Sequence, residues 1–185
     1  MAISSYKIGF LLMGGFDLLA YGALVEGFGA ANRHLRRRTY ALSAIPHFGG
    51  QAVSHRVGGL VPAQVKATTH IGERMDYDRL IVLSDDDAAQ TDDSRVSFWL
   101  TNLHQRGVHL VGVGAGALVI ARAGIETQNA LTTHPRLADQ LSALTGKKED
   151  DEICLAIHGA ISSCAGGAST LDFVLSIIAM DCGEE

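Results

Sequence analysis

The sequence predicts an α/β domain whose mostly parallel sheet is covered by helices on both faces. The first observation is a set of short apolar runs, at Tyr6–Met13, Arg79–Leu83 and Val108–Val113, which are typical of strands buried on both faces. The second is that segments of helical pattern alternate with these runs. The third is a glycine turn, Gly114–Gly116, that joins the last run to a segment rich in Ala and Leu.

After the first strand and a glycine turn, the sequence predicts a helix over Leu18–Arg33. Asp17 is its predicted N-cap, because a carboxylate there accepts hydrogen bonds from the free N–H groups of the first turn. Gly22, Gly27 and Gly29 interrupt the helical pattern and predict close packing against a neighbour. The apolar residues of this helical pattern are Leu18, Leu19, Leu24, Val25 and Phe28.

The middle of the chain continues the alternation. Tyr40–His47 is predicted as a strand, and Phe48–Pro62, which contains four glycines, as turns around a short hairpin. Ser84–Asp87 follows the carboxyl end of the next strand with three consecutive acidic residues. A helix is predicted over Asp93–Arg106, because this segment starts in acidic residues and stops before a glycine.

The last part of the chain predicts further strands and helices of the same kind. They are a strand at Ala130–Thr133, a helix at Arg136–Leu144, strands at Ile153–Ile157 and Ala160–Cys164, and a helix at Thr170–Asp181. Gly146 ends the first of these helices, Ala165–Gly167 is a second tight turn, and Ser169 is a candidate cap of the last helix. The apolar face of that helix is predicted at Leu171, Val174, Leu175 and Ile178.

The composition predicts a single globular domain over residues 1–185. Hydrophobic residues make up 47% of the chain, which is enough for a core, yet no apolar run is long enough to span a bilayer. The net charge of −5 argues against nucleic-acid binding by the domain itself. Met1–Phe10 lacks the pattern of a signal peptide, so we expect a cytoplasmic protein. Cys154, Cys164 and Cys182 have no CxxC spacing, which argues against a disulfide framework or a zinc site.

The stretch Val108–Ala123 carries the central functional argument. In an open α/β sheet, such a turn lies at the carboxyl end of a strand, where ligands bind, and the following helix directs unpaired N–H groups to the same place. A hydrolase of this architecture would carry a Ser or Cys nucleophile at the turn. Gly114, Ala115 and Gly116 provide neither, so the sequence predicts no nucleophile there.

Several short motifs occur in a characteristic order from Ile8 to Gly183. They are Glu26 with Ala30–Arg33, Gly116–Ala117, Ala121–Gly124, Ala130–His134, and Cys164–Gly167 followed by Leu171–Asp172. Together they resemble the class I glutamine amidotransferase-like superfamily, which includes the PfpI-type proteins. The closer resemblance is to the amino-terminal sensor domains of AraC-family transcriptional regulators. The Cys164–Gly167 motif looks most like regulators of arginine, betaine and carnitine metabolism.

This resemblance implies a flavodoxin-like three-layer αβα sandwich, a homodimer, and a carboxy-terminal DNA-binding domain with two helix-turn-helix units. The 185 residues contain no segment for that domain, so DNA contact is expected only through a domain not present in this chain. Aligned on the Gly116–Ala117 motif, Gly114 stands where enzymes of the superfamily have their catalytic Cys. Pro135 follows His134, where relatives often have Trp. The acidic Ser84–Asp86 segment stands where many relatives have a turn that supplies oxyanion N–H groups. We therefore predict that the protein is not an enzyme.

The sequence predicts instead a pocket for a small molecule at the carboxyl ends of the strands. The predicted ligand-binding residues are Phe16, Asp17, Asp85, Asp86, Gly114, Ala115 and His134. The helix that begins at Gly116 would receive a ligand carboxylate, and Asp85 or Asp86 would receive an ammonium or guanidinium group. An amino acid, a betaine or a carnitine-like compound offers such groups. We predict no catalytic residue, no metal ion and no cofactor.

Simpler interpretations stay open at this stage. Asp85–Asp87 can be a solvated loop, Asp17 can be a helix cap and nothing more, and Glu26 can serve either the elbow or a dimer contact. Cys164 is expected to be a buried apolar residue rather than a nucleophile. The alternative function is a PfpI-like hydratase or amidohydrolase that uses Cys164 or a bound water. A third is a dimerisation module with a collapsed pocket.

Overall fold

The computed structural model describes residues 5–55, 61–126, 129–148 and 154–183. The strands in these residues are β1 Tyr6–Leu12, β2 Gly15–Phe16, β3 Tyr40–Pro46, β4 Gln51–Ser54, β5 Gln64–Lys66, β6 Arg79–Ser84, β7 His109–Gly114, β8 Leu155–His158 and β9 Ile161–Cys164. The α-helices are α1 Leu18–His34, α2 Ser94–Gln105, α3 Gly116–Arg122, α4 Ala138–Thr145 and α5 Ser169–Cys182. None of these helices is long and apolar enough to cross a membrane.

The large sheet has the strand order β3-β1-β6-β7-β9-β8. The first five strands run parallel, and the edge strand β8 runs antiparallel to β9. The helices α1 and α5 cover one face, where Phe10 and Val111 belong to their core. The helices α2, α3 and α4 cover the other face, where Leu110 belongs to theirs. The flavodoxin-like three-layer sandwich expected from the sequence is therefore confirmed.

Successive residues of the central strands belong alternately to the two cores, one on each face of the sheet. In β6, Leu80 and Val82 belong to the core of α2, α3 and α4, whereas Ile81 and Leu83 belong to the core of α1 and α5. Successive side chains of a strand point to opposite faces, so a strand covered on both sides needs apolar residues at every position. This is why the apolar run in β6 shows no polar alternation.

A second, smaller sheet with the order β2-β4-β5 follows the end of β1. The two residues of β2 pair with Ser54 of β4, and β4 forms an antiparallel hairpin with β5. The hairpin expected within Phe48–Pro62 is present, but its second strand lies beyond Pro62, at Gln64–Lys66. Residues 56–60 of the predicted turns lie outside the described residues.

The strand predicted at Ala130–Thr133 is wrong, because this segment forms no strand. The backbone N–H of Thr132 donates to Ser163 Oγ of β9 at 2.7 Å. The hydroxyl of Thr133 donates to the carbonyl oxygen of Gly114 at 2.8 Å. Side-chain hydrogen bonds therefore fasten the segment to β7 and β9, and it adds no strand to the sheet.

The helix predicted at Arg136–Leu144 is present but begins two residues later, at Ala138. A single 3-10 turn occupies Pro135–Leu137, α4 then runs from Ala138, and Gly146 closes it with a left-handed φ of +67°. His134 starts the 3-10 turn, because its Nδ1 accepts a hydrogen bond from the backbone N–H of Arg136 at 3.3 Å. The first residue of the strand predicted at Ile153–Ile157 lies outside the described residues.

Two predictions for the last helix are wrong, namely its cap and part of its apolar face. Ser169 is its first residue rather than its cap, and the Ser169 hydroxyl donates to the carbonyl oxygen of Gly166 at 2.8 Å. Ala168, which has no capping side chain, takes the N-cap position. Leu171 and Leu175, predicted on the apolar face, are 51% and 54% exposed. The buried face consists of Thr170, Phe173, Val174 and Ile177.

The first helix exposes two of the apolar residues of its predicted pattern, Leu18 and Leu19. Its glycines differ in their surroundings. A Cβ at Gly27 would come within 2.7 Å of the Val174 side chain, so α1 and α5 approach closely there, as the sequence predicted. A Cβ at Gly22 would meet nothing within 4 Å, so packing inside the described chain does not require that glycine.

Candidate functional site

The turn between β7 and α3 has the shape of a nucleophile elbow. β7 ends at Gly114, which has a left-handed φ of +57°, and α3 begins two residues later at Gly116. A Cβ at Gly116 would overlap the backbone carbonyl oxygen of Val82. A Cβ at Gly112 would lie 2.6 Å from backbone atoms of Ala117. The close packing of strand, turn and helix therefore requires glycine at both positions.

The position of Gly114 itself has room for a side chain. A Cβ there would have Ala165 O at 3.9 Å and the Cα of Gly166 at 4.0 Å as its nearest neighbours, which is ordinary contact. Glycine is therefore not imposed at position 114 by crowding. Because glycine carries no nucleophilic atom, this turn has the backbone of an elbow but cannot form a covalent intermediate.

Cys164, the other nucleophile that the sequence offers, lies below the surface. Its side chain is fully buried, and its sulfur lies 3.9 Å from the Thr170 hydroxyl. Burial raises the pKa of the Cys164 thiol from about 9 to about 11, because the apolar surroundings disfavour the thiolate. The prediction of a buried, unreactive residue agrees with this environment.

A cavity of about 930 Å³ opens above the elbow, at the carboxyl ends of the strands. Six of the seven predicted ligand-binding residues line it, namely Asp17, Asp85, Asp86, Gly114, Ala115 and His134. The seventh, Phe16, does not: it is fully buried and packs edge-on against Tyr21, with ring centroids 5.5 Å apart. Phe16 points into the core because β2 turns its side chain away from the cavity.

Asp17 does more than cap its helix. One carboxylate oxygen accepts hydrogen bonds from the N–H groups of Leu19, at 2.8 Å, and Ala20, at 3.3 Å. The other accepts from the N–H of Gly167 at 3.0 Å. A single carboxylate therefore ties the start of α1 to the turn before α5, two segments that are 150 residues apart in sequence.

Asp85 is packed against the small sheet. Its carboxylate occupies the space that a Cβ at Gly15 would need, and Gly15 has a left-handed φ of +71°. Its Oδ2 lies 4.0 Å from Nδ1 of His55, which also lines the cavity. Glycine at position 15 therefore lets this carboxylate reach the wall that β2 and β4 form.

Asp86 faces a cation across the mouth of the cavity. Its Oδ2 lies 3.4 Å from a guanidinium nitrogen of Arg136, and both side chains are well exposed. An exposed ion pair of this kind contributes little to stability and exchanges partners readily. The ammonium or guanidinium group of a ligand could take the place of Arg136 at Asp86.

Two helices begin at this cavity, whereas the sequence interpretation considered one. Ala115 is the N-cap of α3 and Ala168 is the N-cap of α5, and neither helix start is capped by a side chain. Both alanines line the cavity. Uncapped N–H groups and the partial positive charge of helix N-termini favour a carboxylate at this place.

Sequence reasoning missed the part of the wall that follows β9. Ala165, Gly166 and Gly167 line the cavity, as does the exposed Cys154. The signal was present, because a strand, a glycine turn and a helix follow one another here as they do at Gly114. Glu26 lies elsewhere, exposed on α1 and paired with Arg33. Within the described ranges, no three His, Cys, Asp or Glu side chains cluster as a metal site requires.

Two curated proteins are similar to the chain along most of its length. The HTH-type transcriptional regulator GlxA of Rhizobium meliloti is 26% identical over 179 residues, which cover 97% of this chain and 54% of that protein. The HTH-type transcriptional regulator CdhR of Pseudomonas aeruginosa is 26% identical over 180 residues, which cover 95% of this chain and 51% of that protein. The chain spans about half the length of these relatives. No family model matches it.

Solved structures share the fold. An AraC family transcriptional regulator from Pseudomonas putida superposes with a TM-score of 0.83 at 17% identity, covering 97% of this chain and 94% of that one. Drosophila melanogaster DJ-1beta gives 0.80 at 16%, covering 98% and 92%. A ThiJ/PfpI family protein from Pseudomonas syringae gives 0.81 at 18%, covering 96% and 69%.

The structural similarities and the sequence similarities support different conclusions. The structural neighbours establish the fold, which regulators and ThiJ/PfpI proteins have in common. The curated relatives are similar in sequence and are named as transcriptional regulators. The resemblance expected from the sequence is therefore confirmed: along nearly all of its length the chain is similar to AraC-family regulators, and it has the fold of the PfpI-like proteins.

Proposed function

We propose that this chain is the ligand-sensing domain of an AraC-type transcriptional regulator, and that it binds a small nitrogenous metabolite without changing it. The observation that carries the proposal is the glycine at position 114, on the floor of a cavity of about 930 Å³. An elbow without a nucleophile holds a molecule but cannot attack it. The naming of both curated relatives as regulators supports the same conclusion.

The proposed ligand carries a carboxylate and a cationic nitrogen, as amino acids, betaines and carnitine do. Its carboxylate lies near Ala115 and Ala168, where two uncapped helix N-termini meet. Its cationic group lies near Asp86, in competition with Arg136. Asp85 and His134 complete the proposed wall, and Asp17 holds the turn before α5 in place.

An enzymatic role is the alternative, and the ThiJ/PfpI fold makes it reasonable to consider. A PfpI-like hydratase or amidohydrolase would need Cys164 or a bound water as its nucleophile. The Cys164 thiol is fully buried and its pKa is raised to about 11, so little of it is thiolate near pH 7. The acidic side chains of Asp85 and Asp86 on the cavity wall would also oppose a developing oxyanion.

In the proposed function the chain forms a homodimer, and DNA contact belongs to a helix-turn-helix region outside these 185 residues. Ligand binding favours one arrangement of the dimer over another, because the ligand has a higher affinity for that arrangement.

A melting-temperature screen tests the ligand-binding proposal. The probes are the common amino acids, glycine betaine and carnitine, and we expect at least one to raise the melting temperature, since a ligand at 100 times its Kd stabilises by about 2.7 kcal/mol. Asp86→Asn should reduce that rise, and Asp92→Asn, which removes an exposed carboxylate outside the cavity wall, should leave it unchanged. A screen in which no probe raises the melting temperature would contradict the proposed ligand class.

A further inference from the structure

Three consecutive arginines, Arg36, Arg37 and Arg38, form a basic loop between α1 and β3. All three are exposed. The chain has a net charge of −5, yet residues 33–38 contain four of its 15 Lys and Arg residues. Cations in the last turn of a helix stabilise it through its dipole, and Arg33 and His34 already occupy that turn of α1. The basic loop lies beyond the helix, so the helix dipole does not account for it.

The charges of the basic loop are not neutralised inside the chain. In the part of the chain that the structure describes, none of its three guanidinium groups forms an ion pair. Two other cations at the same end of the sheet do. Nζ of Lys7 lies 2.7 Å from Oδ2 of Asp76, and a guanidinium nitrogen of Arg79 lies 2.6 Å from Oδ1 of Asp181. The loop therefore presents positive charge that the fold itself does not use.

Hydrogen bonds fix the backbone of the basic loop. The N–H groups of Arg36 and Arg37 donate to the carbonyl oxygens of Arg33 and Asn32, both at 3.3 Å, which is the pattern of a Schellman cap. The side-chain amide of Asn32 donates to the carbonyl oxygen of Tyr40 at 2.9 Å and accepts from the Tyr40 N–H at 2.8 Å. The end of α1 and the start of β3 are thus joined across the loop, and its arginines are carried on an ordered backbone.

Arg36 occupies a position where helices commonly have glycine. Its φ is +50°, and among the described residues it is the single non-glycine residue with a positive φ, while eleven glycines take such angles. A side chain is sterically unfavourable in this left-handed conformation. Folding of the single chain therefore does not account for arginine at position 36, while a partner that contacts its guanidinium group would.

The basic loop lies at the opposite end of the sheet from the acidic cavity. α1 starts beside the cavity at Asp17, and its 17 residues lead about 25 Å away from it. Charges are screened over about 10 Å at 0.1 M salt, so Asp85–Asp87 do not cancel the charge of the loop. α5 ends at the same end as the loop, because its Asp181 accepts a hydrogen bond from the Tyr40 hydroxyl at 3.1 Å.

We propose that the basic loop binds the phosphate backbone of duplex DNA. Guanidinium groups pair with phosphate oxygens through two parallel hydrogen bonds, and such contacts position a protein on DNA without reading its sequence. The inference rests on the proposed function, in which a region that continues beyond α5 binds DNA, and it adds a contact made by the sensing domain itself. The net charge of −5 opposes DNA binding by the surface as a whole, whereas the local charge at the loop favours it.

Fluorescence anisotropy of a labelled duplex of mixed sequence, titrated with the 185-residue chain at low salt, tests this assignment. We expect saturable binding that weakens as salt is added, because binding to phosphates releases counterions. The variant that combines Arg36→Gln, Arg37→Gln and Arg38→Gln should raise the dissociation constant about 10-fold or more. Each phosphate contact contributes about 0.9 to the slope of log K against log salt, so this variant should lose up to about 3 of that slope.

Two controls separate charge from folding. The variant that combines Arg36→Lys, Arg37→Lys and Arg38→Lys keeps the charge and should keep most of the binding. Lys66→Gln is matched to Arg38→Gln, because each removes one exposed cation, and Lys66 lies on β5 in the small sheet. Arg38→Gln should weaken binding, and Lys66→Gln should not. Circular dichroism confirms that each variant folds.

Three results would overturn the proposal. They are an absence of binding to the duplex, equal binding by the triple glutamine variant, and binding to phosphatidylserine vesicles without binding to the duplex. Each of them leaves the proposed function standing, because the melting-temperature screen for ligands does not depend on the basic loop.

Discussion

Two turns of this protein follow the same plan, a strand, a glycine turn and a helix, and each has one glycine, Gly116 or Gly167, that is needed for a different reason. At the β7–α3 turn, Gly116 is required by the Val82 carbonyl of the neighbouring strand. At the β9–α5 turn, Gly167 has a left-handed φ of +56°, and a Cβ there would meet nothing within 4 Å. Packing therefore requires glycine at position 116, whereas the backbone conformation favours it at position 167, where the N–H is held by the carboxylate of Asp17.

The two turns also contact each other. A Cβ at Gly166 would lie 3.1 Å from the Cα of Gly114, so the second turn lies directly beside the first. The helices that follow both begin at the cavity without a side-chain cap. Close backbone packing at Gly116 therefore holds the first turn, whereas side-chain hydrogen bonds of Asp17 and Ser169 hold the second, and a substitution can remove each of these bonds separately.

The largest expected effect is that of Gly116→Ala compared with Gly167→Ala. The methyl group at position 116 overlaps a backbone atom that cannot move away, so we expect a loss of about 3 kcal/mol or more in the free energy of unfolding. Gly167→Ala meets no atom and costs only the left-handed conformation, about 1 kcal/mol. Urea unfolding measures both. Equal losses would mean that packing does not distinguish the two turns.

The next effect concerns Asp17, which joins the two ends of the site. Asp17→Ala removes the cap of α1 and the acceptor for the Gly167 N–H, and we expect it to cost about 2 kcal/mol. Asp17→Asn keeps a capping oxygen but lacks a second carboxylate oxygen for Gly167, so we expect about half that loss. Chemical denaturation separates the two contributions. If Asn matches the native residue, the bond to Gly167 contributes nothing.

A smaller, pH-dependent effect is expected at the opposite end of the strands that carry the turns. His109 of β7 lies 2.7 Å from the Ser162 hydroxyl of β9. Burial, aided by the charge of Arg79, lowers the pKa of His109 from 6.5 to about 4. As the pH falls from 6.5 towards 4, the unfolded chain takes up a proton at this site and the folded chain does not, so stability falls.

His109→Gln removes this titration and keeps a hydrogen-bonding side chain. We expect the difference in melting temperature between pH 7 and pH 4.5 to be smaller in the variant than in the unmodified protein. The measurement is a pair of thermal unfolding curves for each protein. An unchanged difference would show that His109 takes up its proton equally in both states.

The smallest expected effect is that of Gly114→Cys, which places a thiol at the elbow. The cavity wall still carries Asp85 and Asp86, which oppose a developing oxyanion, and we therefore expect no hydrolysis of activated esters above that of the unmodified protein. Mass spectrometry for an acyl-enzyme serves as a second measurement. Robust turnover by this variant would mean that the acidic loop has been misinterpreted.

Much of the fold could be predicted because it depends on local patterns. The apolar runs of β1, β6 and β7 identify buried strands, and Gly146 identifies the end of α4. Ala130–Thr133 was misassigned because its apolar and β-branched residues resemble a strand, while side-chain hydrogen bonds determine its path. The apolar pattern of α5 did not show that Leu171 and Leu175 lie outside its buried face. Both are leucines in an apolar helix, and the local sequence does not show which side of the helix packs against the sheet.

The site could be predicted only in part, because some of its contacts join segments that are far apart in sequence. The residues that follow β1, β6 and β7 come together because the carboxyl ends of parallel strands meet at one edge. Phe16 was misplaced because the two-residue strand β2 turns it into the core. The hydrogen bond between Asp17 and Gly167 joins segments 150 residues apart, and a local sequence pattern cannot predict such a contact.

The central claim is that the cavity above Gly114 holds a metabolite and leaves it intact. Calorimetric titration with the compound that raises the melting temperature most, followed by mass spectrometry of the recovered compound, tests this claim most directly. We predict saturable binding of one molecule per chain, with the compound recovered unchanged. Absence of binding, or recovery of a hydrolysed or hydrated product, would contradict the account.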